Sequence, residues 1–418
     1  RRIVVGTRAA AFAPVHGLGL VAIWDDGDDL HAEPRAPYPH AREVLLMRAQ
    51  AQGSAALVGG FARTVEANFL LATGWAHVIE APRDAIRDHL TVAITGATDV
   101  ELERDPTSRS ARLPNQAHDL IRSGLERGPV LVQTPRSGYA ASLACERCRT
   151  PARCAQCQGP LRLTGADQPP SCGWCGTPHP GWSCSECGHR GLRAPVRGDS
   201  RTAEELGRSF PKTVVRTSSG ERVLAEVDNR PAIVVATPGA EPVAADGYAA
   251  VVLMDTWLPL ARLDLRTNEE ALRRWMNAAA LVGRGGRVLA VGDPADHTLQ
   301  TLVRWDPGGF ADRETAERRS AHLPPASRMA SVTGGAGPVD DAITLLRMPE
   351  GAELLGPIPV ESHGPRRGGG EAKEEIRALV RAPRGQGAEL SAALGELQRL
   401  RSSRKLDPVR VQVDPSEI

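Results

Sequence analysis

Short apolar runs alternate with amphipathic segments along the first hundred residues. The runs at Ile3–Val5, Leu20–Trp24 and Ala56–Gly60 each enter a turn, and this pattern predicts short strands. The segment from Pro37 to Gln52 carries apolar residues at helical spacing and predicts a helix. Strands that alternate with helices are typical of a parallel sheet, so we expect an α/β fold here.

The same alternation returns on both sides of a central block that lacks periodicity. Arg104 to Arg112 is polar and predicts a linker. Later elements are predicted as helices over Ala117–Arg127, Asn268–Val282 and Ala388–Leu400, as strands over Pro129–Thr134, Ala232–Ala236, Ala249–Met254, Arg287–Val291 and Val409–Val413, and as a loop over Gly364–Gly370. Gly283–Arg287 predicts a helix-to-strand turn rather than a phosphate cradle.

Composition narrows the class of protein. A chain of 418 residues with 41% hydrophobic content predicts two to four domains with sizeable cores. The net charge of +1 provides no global field toward nucleic acid, so any such contact must come from local patches. No apolar run approaches the roughly 18 residues of a membrane span, and no secretory signal is visible, so we expect a cytoplasmic protein without membrane contact. Since no methionine precedes Arg1, we also expect a natural N-terminus further upstream.

The central block contains all eight cysteines of the chain, in four CxxC pairs. They are Cys145/Cys148, Cys154/Cys157, Cys172/Cys175 and Cys184/Cys187. A CxxC turn presents two thiolates to one metal ion, and zinc takes four such ligands. Four pairs therefore fill two zinc ions with no cysteine left over. The block has few apolar residues, so metal binding must supply its folding free energy.

Cysteines at this spacing are also used in other kinds of site. Disulfides suit secreted chains, a thioredoxin-type motif usually occurs once beside a βαβ unit, and an iron–sulfur cluster also uses cysteine ligands. His179 or His189 would be a substitute ligand only if a cysteine were spare. The spacing leaves the pairing open among sequential, interleaved and nested arrangements.

Positive charge surrounds the cysteines. The arginines of the block outnumber its acidic residues Glu146, Asp167, Glu186 and Asp199; they are Arg147, Arg149, Arg153, Arg162, Arg190, Arg193 and Arg197. Such a rim is either an ordinary solvated surface or a contact surface for DNA phosphates or a partner protein.

Several segments resemble the PriA family of primosomal replication-restart proteins, also called primosomal protein N-prime. Residues 6–14 (GTRAAAFAP) are similar to the family's GTRSAxFAP segment, and Pro129–Tyr139 followed by Cys145 is similar to its entry into a zinc block. Further matches are residues 198–211, His322–Pro325 with Met329-Ala330, and Val409–Pro415. The resemblance extends over essentially the whole chain, and the cysteine spacing is its most specific part.

The resemblance implies two RecA-like helicase lobes with an inserted double-zinc module and a C-terminal α/β domain. The implied boundaries are residues 1–108 for a remnant of lobe 1, 109–143 with 190–315 for lobe 2, 144–189 for the zinc module and 316–418 for the C-terminal domain. It also implies nested metal sites, with Cys145, Cys148, Cys184 and Cys187 on one zinc and Cys154, Cys157, Cys172 and Cys175 on the other.

The helicase motifs of the family are altered here. Its DEEHD is Asp25-Asp26-Gly27-Asp28-Asp29, so Asp26 replaces the glutamate that positions the attacking water. Its GSATPS segment is Gly59–Thr64, its GTQMxxKGxDF segment begins Ala236–Glu241 without a lysine, and its QVAGRAGR segment is Asn277–Arg284. Leu281 replaces an arginine that would reach the γ-phosphate, and loss of one such arginine costs about 10³ or more in rate.

The expected function is therefore replication restart without helicase activity and without catalytic residues. We expect binding to forked or single-stranded DNA, to primosome proteins and to the loader of the replicative helicase, by a monomer at the nucleoid. The alternatives are an active ATP-dependent 3′–5′ DNA helicase and a zinc-ribbon adaptor that only binds other proteins.

Overall fold

The computed structural model describes residues 3–106, 108, 111–135, 143–148, 150–163, 168–172, 175–193, 199–262, 264–360, 375–415 and 417. The chain divides into two compact units. One, called the terminal unit here, consists of Arg1–Val78 and Gly308–Ile418. The other, called the middle unit, is Ile79–Pro307. The predicted loop over Gly364–Gly370 lies outside the described residues.

The terminal unit begins with a small parallel β-α-β segment. Its elements are β1 (Leu20–Trp24), α1 (Ala41–Gln52), β2 (Ala55–Gly59) and α2 (Val65–Ala72), with short 3₁₀ turns at Arg8–Phe12 and Asp29–His31. The parallel pairing of β1 with β2 confirms the predicted strands at Leu20–Trp24 and Ala56–Gly60 and the predicted parallel sheet.

Two local predictions in this segment need correction. Ile3–Val5 does not form a strand: its side chains are exposed and it has no neighbouring strand among the described residues to accept its backbone hydrogen bonds. The helix predicted from Pro37 begins at Ala41, because His40 is extended and its Nδ1 accepts a hydrogen bond from the Arg42 amide at 3.2 Å.

The middle unit contains a six-stranded parallel sheet and the cysteine block. Its strands are β3 (Leu90–Ile94), β4 (Val130–Gln133), β5 (Ala144–Cys145), β6 (Leu161–Arg162), β7 (Ser171–Cys172), β8 (Leu192–Arg193), β9 (Val214–Ser218), β10 (Glu226–Val227), β11 (Ala232–Ala236), β12 (Val243–Ala244), β13 (Tyr248–Leu253) and β14 (Val282–Ala290). Its helices are α3 (Arg83–His89), α4 (Asp99–Arg104), α5 (Asn115–Leu125), α6 (Asp199–Ser209), α7 (Trp257–Leu260), α8 (Thr267–Ala279) and α9 (His297–Arg304).

The large sheet has the strand order β3-β14-β13-β4-β11-β9, and every pair in it is parallel. All residues of β4 and β11 are buried, as expected for central strands covered on both faces by helices. The continuous apolar runs seen in the sequence are therefore explained by burial on both faces. The predicted strands at Ala232–Ala236 and Ala249–Met254 are confirmed.

The segment predicted as a linker is instead part of the middle unit. Arg112 is 6% exposed and donates hydrogen bonds to Asp255 at 2.9 Å, Glu205 at 2.8 Å and Thr202 at 2.7 Å. Strand β3 pairs with β14, so Leu90–Ile94 belongs to the same sheet as the strands from residues 109–143 and 190–315. The polar composition of Arg104–Arg112 suggested an exposed linker. Polar groups can be buried when they form hydrogen bonds with other polar groups inside the fold, as Arg112 does.

The glycines at Gly283–Arg287 lie within β14, not in the predicted turn. Gly247 has a φ of +77°, and a Cβ added there would lie 2.6 Å from the Cα of Gly283. Two facing glycines allow this close approach of backbones, beside a shift of register between Tyr248 and Ala250.

Gly247→Ala should destabilise the middle unit more than Gly285→Ala. Both residues have positive φ, but a Cβ at Gly285 meets open space. Because only Gly247→Ala forces the backbone apart, we expect it to lose about 1–3 kcal/mol more free energy of unfolding. Denaturant unfolding of both variants measures this difference, and equal losses would contradict the role of close approach.

The C-terminal part of the terminal unit is an antiparallel sheet with helices. Its elements are α10 (Pro307–Ser320), β15 (Ser327–Gly334), α11 (Ala336–Leu345), β16 (Glu353–Val360), β17 (Glu375–Pro383), α12 (Gly387–Ser403) and β18 (Arg410–Val413). The strand order is β16-β17-β15-β18. Helix α12 and strand β18 confirm the predicted final elements. No helix in the described part of the chain combines the length and apolar character that crossing a membrane requires.

This part also contacts the start of the chain. Asn68 donates from Nδ2 to Asp312 at 3.0 Å and to Thr315 at 3.1 Å, and the Arg384 guanidinium lies 4.0 Å from the centroid of the Phe69 ring. Residues 1–78 and 308–418 therefore pack as one compact unit. The predicted division into a first-lobe remnant and a C-terminal domain stays a prediction.

Candidate metal centre

The cysteine block is a small module closed by two strand pairs. Strands β5 and β8, from the two ends of the module, pair with each other, and β6 pairs with β7 in the middle of the module. Its core consists of Leu143, Ala152, Cys154, Leu161 and Cys172, with Cys157, Trp182 and Leu192 partly buried against them. Cysteines thus form a large part of the small hydrophobic core of the module.

Each CxxC turn repeats one backbone hydrogen bond. The amide of the first cysteine donates to the carbonyl five residues later: Cys145 to Thr150, Cys154 to Gly159, Cys172 to Thr177 and Cys184 to His189, all at 2.8–2.9 Å. The residue four positions after the first cysteine is left-handed in three of the turns, at Gln158, Gly176 and Gly188. This repeated turn aims both thiols of a pair the same way.

The four turns combine into two tetrads of sulfur atoms. Cys145, Cys148, Cys184 and Cys187 form the outer tetrad, and Cys154, Cys157, Cys172 and Cys175 form the inner tetrad. Within each tetrad the ligand atoms all lie within 4.8 Å of one another. The structure thus has the nested arrangement that the resemblance implied and that spacing alone left open.

Distances between sulfurs fit a shared metal ion and not a disulfide. In the outer tetrad Cys148 lies 3.3 Å from Cys184 and 3.4 Å from Cys187; in the inner tetrad Cys157 lies 3.4 Å from Cys172 and 3.5 Å from Cys175. A disulfide needs about 2.05 Å, and none of the eight cysteines is in a disulfide. A tetrahedron with metal–sulfur distances of about 2.3 Å has edges of about 3.8 Å, so only a small expansion is needed.

A threonine two residues after the second cysteine supports one thiol in each tetrad. The Thr177 hydroxyl lies 3.1 Å from the Cys175 sulfur, and this hydrogen bond, followed by the Thr177 amide and Cys157, lowers the pKa of Cys175 to about 6. Burial opposes the same change at Cys148, but Thr150 and the neighbouring cysteines still lower its pKa to about 6. The thiolate, the form that binds metal, is thereby favoured at Cys148 and Cys175. At Cys157 and Cys187 the amides of Gly159 and His189 lower the pKa, but burial and the neighbouring cysteines outweigh them and raise it to about 12.

The histidines considered as alternative ligands lie beside the tetrads. The Nε2 atom of His179 is 3.2 Å from the Cys154 sulfur, and the Nε2 atom of His189 is 3.7 Å from a Glu146 carboxylate oxygen. Neither replaces a cysteine. His179 instead contacts an inner-tetrad sulfur as a hydrogen-bond partner.

A cavity of about 640 Å³ lies against the inner tetrad. It is lined by Pro151, Arg153, Cys154, Ala155, Gln158, Pro178, His179, Pro180, Gly181, Trp182, Ser183 and Ser185. Sequence reasoning grouped Arg153 with the other arginines of the rim and missed this cavity, because its walls come from two separate knuckles. Arg149, Asp167 and Arg197 of the predicted rim lie outside the described residues.

The residues that align with the family's helicase motifs lie in both units. In the terminal unit Asp26 is 3% exposed and accepts hydrogen bonds from Arg42 Nη1 at 2.9 Å and from Thr64 Oγ1 at 2.8 Å. In the middle unit Leu281 lies between α8 and β14. The Glu241 carboxylate there accepts from the Gly239 amide at 2.8 Å and from Gln133 Nε2 at 2.6 Å.

Comparison with known proteins gives matches over the whole chain. Residues 319–416 match the family model described as the primosomal protein N C-terminal domain. The chain is 48% identical over 433 residues to the "Probable replication restart protein PriA" of Mycobacterium tuberculosis, covering 100% of this chain and 66% of the relative. The Mycobacterium leprae protein of the same name is 49% identical over 429 residues, covering 100% and 65%.

A more distant relative, the "Replication restart protein PriA" of Bacillus subtilis, is 24% identical over 358 residues, covering 79% of this chain and 43% of the relative. The chain spans about two thirds of the length of its mycobacterial relatives. Close identity along the entire chain, together with the C-terminal family match, confirms the resemblance found in the sequence. The chain belongs to the PriA family of replication restart proteins.

Proposed function

We propose that this protein acts in the restart of DNA replication. It recognises forked or single-stranded DNA and, with primosome proteins and a loader, helps place the replicative helicase, in the cytoplasm at the nucleoid. The observation that carries this function is the identity of 48–49% over the whole chain to mycobacterial proteins named as probable replication restart proteins. The β1-α1-β2 segment and the six-stranded sheet are, in this proposal, remnants of two RecA-like lobes.

Zinc is the metal we assign to both tetrads. Four thiolates with tetrahedral spacing are the donor set of structural zinc, and a closed set leaves no position for a reacting water. When bound, zinc would supply folding free energy to the module. The eight cysteines would be the ligands of the two zinc ions. The module needs the folding free energy of metal binding because its hydrophobic core is small.

The buried pair between Asp26 and Arg42 supports a motor without ATPase activity. Arg42 is 5% exposed and also lies 3.1 Å from Glu43 and 3.6 Å from Glu66. Burial by itself lowers the pKa of Arg42, but Glu66, Asp26 and Glu43 outweigh it and hold that pKa above its ordinary value. A carboxylate bound to this cation and to Thr64 is a structural group, whereas a catalytic carboxylate must face a water molecule.

Two features of the middle unit support the same proposal. Leu281 has no donor with which to stabilise charge on a transferring phosphate, where the family has an arginine. Glu241 uses its carboxylate to hold its own loop through the Gly239 amide and Gln133. The segment that aligns with the family's GTQMxxKGxDF motif is thus held by internal hydrogen bonds.

ATP hydrolysis and fork binding, measured side by side on the full-length protein, test the proposal. We expect forked DNA to bind with an affinity that falls as salt rises, because phosphate contacts release counterions. Hydrolysis should stay at the level of a no-enzyme control with or without DNA. A Bacillus subtilis relative assayed in parallel serves as a comparison.

Two results would contradict the proposal in different ways. DNA-stimulated hydrolysis would support the active 3′–5′ helicase instead. Absence of fork binding, or fork binding that does not change when the zinc module is mutated, would support the adaptor that contacts only proteins.

A further inference from the structure

The cavity beside the inner tetrad combines a cation, an aromatic ring and a wall whose described residues are not acidic. Arg153 and Trp182 both line it and are both half-buried, with Gln158 and His179 as further polar groups. Among the described residues that line it, none is Asp or Glu. Its volume of about 640 Å³ falls within the usual range of small-molecule sites.

Arg153 is the residue that makes the cavity unusual. Within the part of the chain that the structure describes, it has no ion pair and no hydrogen-bonded acceptor. A half-buried guanidinium loses hydration without compensation unless an anion binds beside it. The buried arginines Arg42 and Arg112, by contrast, each form an ion pair with a carboxylate.

Trp182 adds a flat apolar surface at the same place. It is partly buried against the core of the module, which fixes its position. Aromatic rings and arginines together form the stacking platforms of single-strand binding proteins. The cavity therefore offers one group for a base and another for a phosphate.

We propose that this cavity receives one unpaired nucleotide of single-stranded DNA, with the base against Trp182 and a phosphate on Arg153. The inference rests on the DNA binding proposed above and assigns it a place in the zinc module. An acidic peptide is also an anion and could bind Arg153. The cavity wall contains Trp182 and three prolines, however, and this wall favours a flat base over a peptide backbone, which needs hydrogen-bond partners.

Cross-linking and affinity measurements on the full-length protein test the inference. Single-stranded and forked DNA carrying 5-iodouracil should cross-link to Trp182 on irradiation, as located by mass spectrometry. Arg153→Gln and Trp182→Ala should each weaken binding about tenfold. Loss of one phosphate contact in Arg153→Gln should make the slope of log K against log salt shallower by about 0.7.

Matched variants separate this site from general effects. Arg190→Gln removes the same charge from an exposed position of the module outside the cavity, and should change affinity less than threefold. Trp182→Phe keeps a ring for stacking and should remain close to the unchanged protein. All variants should keep two zinc ions per chain. Loss of zinc in Arg153→Gln would contradict the inference, because it would show that Arg153 only balances the charge of the tetrad.

The outcomes distinguish this inference from the proposed function. Normal fork binding in Arg153→Gln and Trp182→Ala, with cross-links elsewhere, overturns the cavity assignment and leaves DNA recognition intact. No binding of DNA by the unchanged protein overturns the proposed function itself. An acidic peptide that binds the unchanged protein but neither variant, while DNA binding is unaffected, shows a peptide site and overturns the nucleotide assignment.

Discussion

Substituting Cys145 and Cys154 by serine together should remove both zinc ions, whereas substituting Cys145 and Cys184 should remove one. In the nested arrangement the first pair damages both tetrads and the second pair damages only the outer one. Each structural zinc contributes on the order of 10 kcal/mol of folding free energy, so the loss is expected to be complete at the damaged site. Metal analysis of the purified full-length protein gives zinc per chain directly.

The other two arrangements give different results in the same experiment. Sequential pairing reverses the outcome, with one zinc retained in Cys145→Ser/Cys154→Ser and none in Cys145→Ser/Cys184→Ser. Interleaved pairing retains a zinc only in Cys145→Ser/Cys172→Ser. Ser183→Ala, between the knuckles, is the control and should keep both ions. Less than two zinc per chain in the unchanged protein would contradict the assignment of the metal.

Removing the Asp26 carboxylate should destabilise the terminal unit by about 3 kcal/mol. Asp26→Ala leaves Arg42 buried without its closest carboxylate partner, and breaking a buried ion pair from one side typically costs about 3–5 kcal/mol. Glu66 at 3.6 Å and Glu43 at 3.1 Å remain near Arg42, which places the expected loss at the lower end. Thermal unfolding and hydrogen exchange of peptides from residues 20–72 measure it.

Three variants make this result specific. Asp29→Ala removes an exposed carboxylate from the same acidic run and should change stability by less than about 0.5 kcal/mol. Asp26→Leu with Arg42→Met replaces the pair by apolar side chains and should recover most of the loss. Asp26→Glu should not produce ATP hydrolysis. If Asp26→Ala abolished a measurable ATPase and left stability unchanged, Asp26 would be a catalytic carboxylate after all.

Local elements followed from the sequence where burial imposed a clear pattern. The apolar runs of β1 and β11 were predicted with their bounds, and β13, α12 and β18 were predicted within a few residues. These elements depend on side chains that lie near one another along the chain. The nested metal pairing came from family resemblance, since spacing alone allowed three arrangements.

Predictions that depended on distant contacts failed. Arg104–Arg112 has the composition of a linker, yet Arg112 is buried and donates a hydrogen bond to Asp255, which lies 143 positions later in the chain. The start of the chain packs with residues 308–418, and β3 enters a sheet with β14; no local feature of either segment indicates these partners.

The sequence by itself predicted two groups of four cysteines suited to zinc, a largely parallel α/β core and changes in the segments that align with helicase motifs, because each is a pattern of residue types at short spacing. Only the tertiary structure decided that Asp26 is held by Arg42, that Arg153 and Trp182 share one cavity, and which segments form one unit. Those facts depend on which side chains meet across long stretches of chain, and on whether a buried charge finds a partner there.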